Sequence, residues 1–285
     1  MNPDERTTPA DLERRFGGLA RLYGAEGAQR IRAAHIVVVG LGGVGSWAAE
    51  AAARSGVAHL TLIDFDHIAE SNINRQVHAL DSSLGQAKVQ AMRERIVHIN
   101  PACRVDCIEE FVDVANWPGL LEQAGDFDFR QLAVIDACDQ VRAKTAMAAW
   151  AIGVKATFVS VGAAGGKRLA HRVDIEDLSL VTHDPLLALM RRRLRKENGA
   201  APQGKIGVAC VFSREAVLQP SAVKSSTLRA SSLSGDSDPQ CPAFQGDGSL
   251  NCHGYGSVVS VTATFGFCAA GWVLSEIAAG LGKGS

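Results

Sequence analysis

The chain has no C-x-x-C pair, and its seven cysteines (Cys103, Cys107, Cys138, Cys210, Cys241, Cys252 and Cys268) make an odd number. A disulfide framework and a zinc site built on paired cysteines are therefore not expected, and reduced thiols in a cytoplasmic setting fit best. The first fifteen residues lack an apolar h-region, so they do not read as a secretory signal. Neither charge is in excess: 29 Lys and Arg face 30 Asp and Glu, for a net charge of −1. Global charge thus advertises no nucleic acid, and any such contact has to use a local patch. Long apolar runs are scarce too. Residues 258–274 carry no charge, and the next acid is Glu276. Ser, Thr and Gly dot this run and no basic flank precedes it. It is expected to be a buried or dimer-facing helix, with no stable membrane insertion.

What is present starts with the core. At 285 residues and 47% hydrophobic, the chain can build one large domain. Residues 36–39 are an apolar run that reads as a buried parallel strand. Gly40, Gly42, Gly43 and Gly45 follow, with the G-x-G-x-x-G spacing at Gly40, Gly42 and Gly45. Bare backbone there lets a phosphate approach the amides, and the next helix turns its positive end toward it. A second strand, residues 59–63, ends in Asp64, where an acid that holds a ribose hydroxyl belongs. The motif alone says nucleotide, and an NAD enzyme would look the same to this point.

The next block, residues 62–76, is a long polar loop that brings Asn72 and Arg75 near the phosphate turn. Lys88 opens a later helix and returns a second cation to the same place. Two cations suit a triphosphate, whose transferring bond develops charge. A third strand is predicted over 104–112 and a fourth over 132–135. The fourth ends in Asp136 and then Asp139, which is placed to hold Mg²⁺ against phosphates. Asp139 also reads as the N-cap of the helix from Val141. A fifth strand, 157–161, runs into the glycine-rich loop 162–166, which can close over a ligand. The fold class expected is α/β, a doubly wound, mostly parallel sheet. It forms a single domain, with residues 15–165 as the nucleotide part and 166–285 as a C-terminal extension.

Taken together, residues 40–76 with Lys88 and Asp139 resemble the ATP site of the ubiquitin-activating-enzyme superfamily. That superfamily includes the bacterial adenylyltransferases of molybdopterin and thiamine biosynthesis, which attach AMP to a carboxylate. The resemblance implies a Rossmann-like ATP site made of Gly40, Gly42, Gly43, Gly45, Asp64, Asp66, Asn72, Arg75, Gln76, Lys88 and Asp139. Asp64 would hold the ribose, Asn72, Arg75 and Lys88 the triphosphate, and Asp139 the Mg²⁺. Arg75, Lys88 and Asp139 would carry the catalysis.

Within the superfamily the chain looks like one branch, the tRNA threonylcarbamoyladenosine dehydratases. The motifs that mark it are R-F-G-G-x-A-R-L-Y-G at 15–24, G-G-V-G-S-W at 42–47 and N-x-N-R-Q at 72–76. Later come D-P-L at 184–186, G-V-x-C-V-F-S at 207–213 and T-A-T-F-G-F at 262–267. The branch implies ATP, Mg²⁺, a tRNA carrying threonylcarbamoyladenosine, and a homodimer. The superfamily also lends an arginine across the dimer from an R-Y-x-R sequence. Here Gly18 stands in the second arginine's place, and Arg21, one turn on, is the candidate substitute.

The second half carries fewer chemical signals. Arg191, Arg192, Arg193, Arg195 and Lys196 end a helix predicted over 184–196. They read either as a solvated helix end or, with a tRNA substrate implied, as phosphate contacts. Residues 221–257 are rich in Ser, Gly and Asp and read as a long mobile segment. Cys252 lies in it, either an ordinary thiol or a nucleophile or sulfur acceptor that would imply a sulfur-transfer partner. Three other functions stay open on sequence: an activator of a ubiquitin-like sulfur-carrier protein, an NAD-dependent dehydrogenase, and a non-catalytic nucleotide scaffold. Arg75 and Lys88 argue against the dehydrogenase.

Overall fold

The computed structural model describes residues 10–125, 132–218 and 255–280. Seven strands form one sheet: β1 (His35–Val39), β2 (His59–Ile63), β3 (Arg104–Ile108), β4 (Leu132–Asp136), β5 (Thr157–Val161), β6 (Val173–Asp177) and β7 (Ala209–Ser213). Their order is β3-β2-β1-β4-β5-β7-β6. Every pairing is parallel except that of the edge strand β6 with β7. From β1 the chain builds outward to β2 and β3, then returns to place β4 on the other side. The strand order therefore reverses between β1 and β4. A crevice opens at the carboxyl ends there, and ligands of such sheets bind in it.

Both faces of the sheet are covered, which is why its strands are apolar on alternate and intervening positions alike. Ile36 and Val38 point to one face, Val37 and Val39 to the other. The first face carries α2 (Gly18–Arg32), α3 (Gly45–Arg54), α4 (Lys88–Ile99) and the last helix. Ahead of α2 runs a short helix, α1 (Leu12–Phe16). The second face carries α5 (Val141–Val154) and α6 (Pro185–Glu197). Asp184 caps α6, its Oδ1 accepting from the Leu187 amide at 2.9 Å, and Pro185 occupies the first helical position.

The apolar tail is α7 (Val259–Ala279), which continues past Glu276 to an αL glycine, Gly280. By length and composition it could cross a bilayer, yet 56% of its most apolar stretch is buried inside the protein. Val261, Phe265, Ala269 and Val273 are fully buried against α3 and the sheet. Burying Phe265 alone is worth roughly 2–3 kcal/mol.

Three expectations need correction. The strand from Arg104 ends at Ile108, four residues short, because Glu109 onward is exposed and pairs with nothing in the sheet. The N-cap of α5 is Gln140, with no side-chain cap bond, so Asp139 is not a cap. The sequence reads as no strand at β6 or β7, yet both form one, a third correction. Residues 221–254, and with them Cys252, lie outside the described residues.

Candidate active site

The cleft at the β1/β4 switch point has a volume of about 400 Å³. Its floor is the turn from β1 to α3. Val39, the last residue of β1, pairs with Ile63 on one side and Asp136 on the other, so three strand ends deliver their loops together. A Cβ on Gly45 would run into the Gly40 carbonyl, which fixes glycine there. Gly42 faces open space, with nothing within 4 Å of where its Cβ would be. Among the described residues the amides of Gly42, Gly43 and Val44 donate to no protein acceptor. They lie at the amino end of α3, whose N-cap Val44 has no side chain to satisfy them. Unpaired amides at a helix start form an anion cradle.

Asp64 stands beside this cradle. Its Oδ2 accepts from the Leu41 amide at 2.5 Å and its Oδ1 from the Asp66 amide at 2.8 Å. Burial pushes its carboxyl above the usual range, against the pull of Lys88 and of these two amides. Lys88 is the first residue of α4 and is nearly buried, with Nζ 2.7 Å from Asp66 Oδ2 and 3.7 Å from Asp64 Oδ1. The sequence reading gave Lys88 to phosphate and Asp64 to ribose. The two are tied together, so each orients the other.

Arg75 reaches the cleft from the loop after β2. Its Nη1 donates to Ser71 O at 2.6 Å and to Asn74 Oδ1 at 2.9 Å. Trp47 of α3 holds the loop by donating from Nε1 to Arg75 O at 2.9 Å. Asn72 is buried and shapes the loop, its Oδ1 accepting from the Ala69 amide at 3.0 Å. Gln76 lines the cleft with Oε1 buried and, among the described residues, lacking a hydrogen-bond partner. Such an orphan acceptor is expected to be satisfied by a ligand or a water.

Asp139 is exposed at the rim, and among the described residues no hydrogen bond or ion pair holds its carboxylate. Beneath it lies a buried network. Lys144 Nζ is 2.9 Å from Asp136 Oδ2, and Ser160 Oγ donates to the same oxygen at 2.6 Å. Burial alone would lower the Lys144 pKa, but the adjoining Asp136 outweighs it and raises it, so the ammonium form of Lys144 is favoured. Lys144 also donates to Asp136 O at 3.3 Å, which anchors the turn that presents Asp139. Free at the rim above this anchor, the Asp139 carboxylate fits a Mg²⁺ held jointly with phosphate oxygens.

The sequence of the ThiF family matches residues 15–226. The chain is 40% identical over 267 residues to the tRNA threonylcarbamoyladenosine dehydratase of Escherichia coli (strain K12), covering 93% of this chain and 94% of that one. The chain belongs to the ThiF family. A solved structure of the E. coli tRNA N6-threonylcarbamoyladenosine dehydratase in complex with ATP superposes with a TM-score of 0.78. It is 38% identical and covers 98% of this chain and 100% of that one. The molybdopterin-synthase adenylyltransferase of E. coli (strain K12) is 31% identical, but over only 50% of this chain and 54% of its own length.

The fold thus brings Gly40, Gly42, Gly43, Asp64, Asp66, Asn72, Arg75, Gln76, Lys88 and Asp139 to one ThiF-type cleft, with Gly45 opening the helix behind it. It also brings residues that sequence reasoning passed over: Phe65, Glu110, Phe111, Leu186, Val217 and Tyr255. Phe65 and Phe111 directly follow or lie near the ends of β2 and β3, the positional signal that should have marked them. Arg21 is exposed on α2 and does not line its own cleft.

The basic helix end is not uniform. Arg191 donates from Nη1 to Leu178 O at 3.0 Å and Val181 O at 2.9 Å, so its guanidinium faces inward. Arg193 pairs with Glu197 at 3.4 Å, and Arg195 donates to Gly204 O at 3.4 Å. Arg192 and Lys196 are exposed. Lys167, another basic residue of this half, is buried and donates to His183 O at 3.0 Å and Glu215 O at 2.6 Å. It is a tie between loops and is withdrawn from any RNA surface.

Proposed function

We propose that this protein is an ATP-dependent tRNA threonylcarbamoyladenosine dehydratase. The observation that carries the reading is the reach of the likeness. Identity to the E. coli dehydratase runs over 93% of the chain, whereas identity to the molybdopterin enzyme runs over 50%. In this reading the amides of Gly42, Gly43 and Val44 receive the triphosphate and Asp64 takes the ribose hydroxyls. The threonine carboxylate of the modified adenosine attacks the α-phosphorus, and pyrophosphate leaves. The urea nitrogen or oxygen of the same modification then attacks the acyl carbon, closing a ring. AMP departs with the carboxylate oxygen, and a proton from the urea nitrogen goes to solvent. The net change in the tRNA is loss of one water.

The protein's part is positioning and charge neutralisation. Arg75 and Lys88 meet the charge that develops on the departing pyrophosphate. Asp139 would hold Mg²⁺, which neutralises phosphate charge when bound. The protein acts as a homodimer, with Arg21 reaching the partner's ATP, in the cytoplasm, where its free thiols stay reduced. Arg192 and Lys196 lead the tRNA phosphate contacts, with Arg191, Arg193 and Arg195 behind them. A sulfur-transfer protein working through Cys252 is a further partner of this reading.

The test is mass spectrometry of tRNA nucleosides after incubation with protein and ATP. Threonylcarbamoyladenosine should lose one water only when ATP is present. Unchanged tRNA, together with pyrophosphate exchange that depends on a small protein ending in Gly-Gly, would instead make the chain a sulfur-carrier activator.

A further inference from the structure

A dehydratase of this kind has to seat two adenosines in one cleft, that of ATP and that of the RNA. The two walls of the cleft differ. Toward β2 and β3 stand Asp64, Phe65 and Phe111, the last two with ring centroids 4.7 Å apart. Asp64 is the ribose acid, so the nucleoside of ATP belongs at this end. Toward β5 and α6 the wall is apolar: Ala163, Pro185, Leu186, Val217 and Tyr255. Tyr255 is the one aromatic on that wall among the described residues, in a chain that has only two tyrosines.

Tyr255 is held there by a specific device. The Gly166 amide donates to Gly256 O at 3.0 Å, and Gly166 O accepts from the Leu218 amide at 2.9 Å. Gly166 has φ +70°, and a Cβ on it would press against Val217 Cγ1 at 2.9 Å. One glycine thereby pins two distant segments, and each contributes its neighbouring side chain, Val217 and Tyr255, to the cleft. Among the described residues no hydrogen bond engages the Tyr255 side chain, which is half-buried. An aromatic ring beside a pinned backbone, unbonded among the described residues and set among apolar neighbours, is a stacking surface.

We propose that Tyr255 stacks on the nucleobase of the RNA substrate, with Pro185, Leu186 and Val217 as the apolar floor. This subsite rests on the tRNA reading above. Proteins read single-stranded loops of RNA by splaying a base out onto an aromatic side chain. Stacked here, the modified adenine would direct its threonine carboxylate across the cleft toward the glycine turn, where the α-phosphate of ATP lies in the proposed reaction.

The experiment uses the full chain, ATP and tRNA carrying threonylcarbamoyladenosine, with Tyr255→Ala, Tyr255→Leu and Tyr255→Phe. Tyr255→Ala should raise KM for tRNA about tenfold or more, on the scale of a lost base–aromatic stack. KM for ATP and the melting temperature should stay unchanged. Tyr255→Phe should behave as wild type. Tyr255→Leu, which keeps bulk without a π face, should stay impaired and replaces the alanine variant if that fails to fold. A leucine variant as good as wild type overturns the stack. So does a rise in KM for ATP alone, which would seat the adenine of ATP on Tyr255. Wild-type protein that leaves the tRNA unchanged brings down the functional reading itself, and the subsite with it.

Discussion

Lys88 shows how closely chemistry and architecture share single side chains here. It is a site cation, yet it also neutralises Asp64 and Asp66. Lys88→Ala should cut AMP formation by at least about 10²-fold, and it should also lower stability, because Asp64 stays buried without its counter-charge. Arg75→Ala should cut AMP formation by a similar factor of about 10² with little change in melting temperature, since its bonds are to an exposed loop. Near-normal AMP formation in either variant would remove the ATP-site assignment. His78 makes a different prediction. It is 2% exposed, neither ring nitrogen has a hydrogen-bond partner among the described residues, and burial pushes its pKa down to about 4. The unfolded chain, with a histidine near its ordinary value of about 6.5, therefore binds the extra proton first as pH falls. Stability is full above that value and drains away below it. From pH 7 to 5 the loss from this residue is about 2 kcal/mol. Urea midpoints at the two pH values should differ less in His78→Phe than in wild type; equal differences would rule the residue out as a source.

Among the elements, α6 separates two jobs that its sequence runs together. Arg192→Ala with Lys196→Ala should flatten the salt dependence of tRNA binding by roughly one slope unit per lost contact, leaving the fold intact. Arg191→Ala should instead cost about 1 kcal/mol or more of stability, because the carbonyls of Leu178 and Val181 lose their donor. An unchanged slope in the double variant would move the RNA footprint off this helix. Five cations in six positions gave no hint of which one turns inward, since that depends on the loop 178–181 arriving from β6. The same limit explains the strands. β1, β2, β4 and β5 were legible because each is an apolar run buried on both faces. β6 is a half-buried edge strand reading Val-Asp-Ile-Glu-Asp, whose alternation is short and acidic. β7 was seen as a motif, though Cys210 to Phe212 is fully buried. The glycine turn and its acid were legible because their order in sequence is their order in space. Tyr255 was not, since long-range bonds, Gly166 to Gly256 and Asn74 to Ser257, bring it to the cleft.

For the whole molecule, the proposed dimer can be tested by mixing. Arg21→Ala and Lys88→Ala chains, each inactive alone, should recover activity when combined, because the mixed dimer holds one site with its own Lys88 and the partner's Arg21. No recovery after verified exchange of subunits would confine Arg21 to a local role. The last helix carries a consequence of its own. Gly266 of α7 lies so close to α3 that a Cβ would strike Val44 O, the residue that caps the phosphate helix. Arg30 of α2 meanwhile donates to Ala278 O, near the end of α7, at 2.9 Å. In chain order α2, β1 and α3 come well before α7. Until α7 is made, its share of that sheet face, beside α2, α3 and α4, lacks cover. The packing of that face against the nucleotide turn is therefore completed only once α7 is in place. A chain truncated before Val259 should therefore neither retain ATP nor resist limited proteolysis, both measurable on the purified truncation.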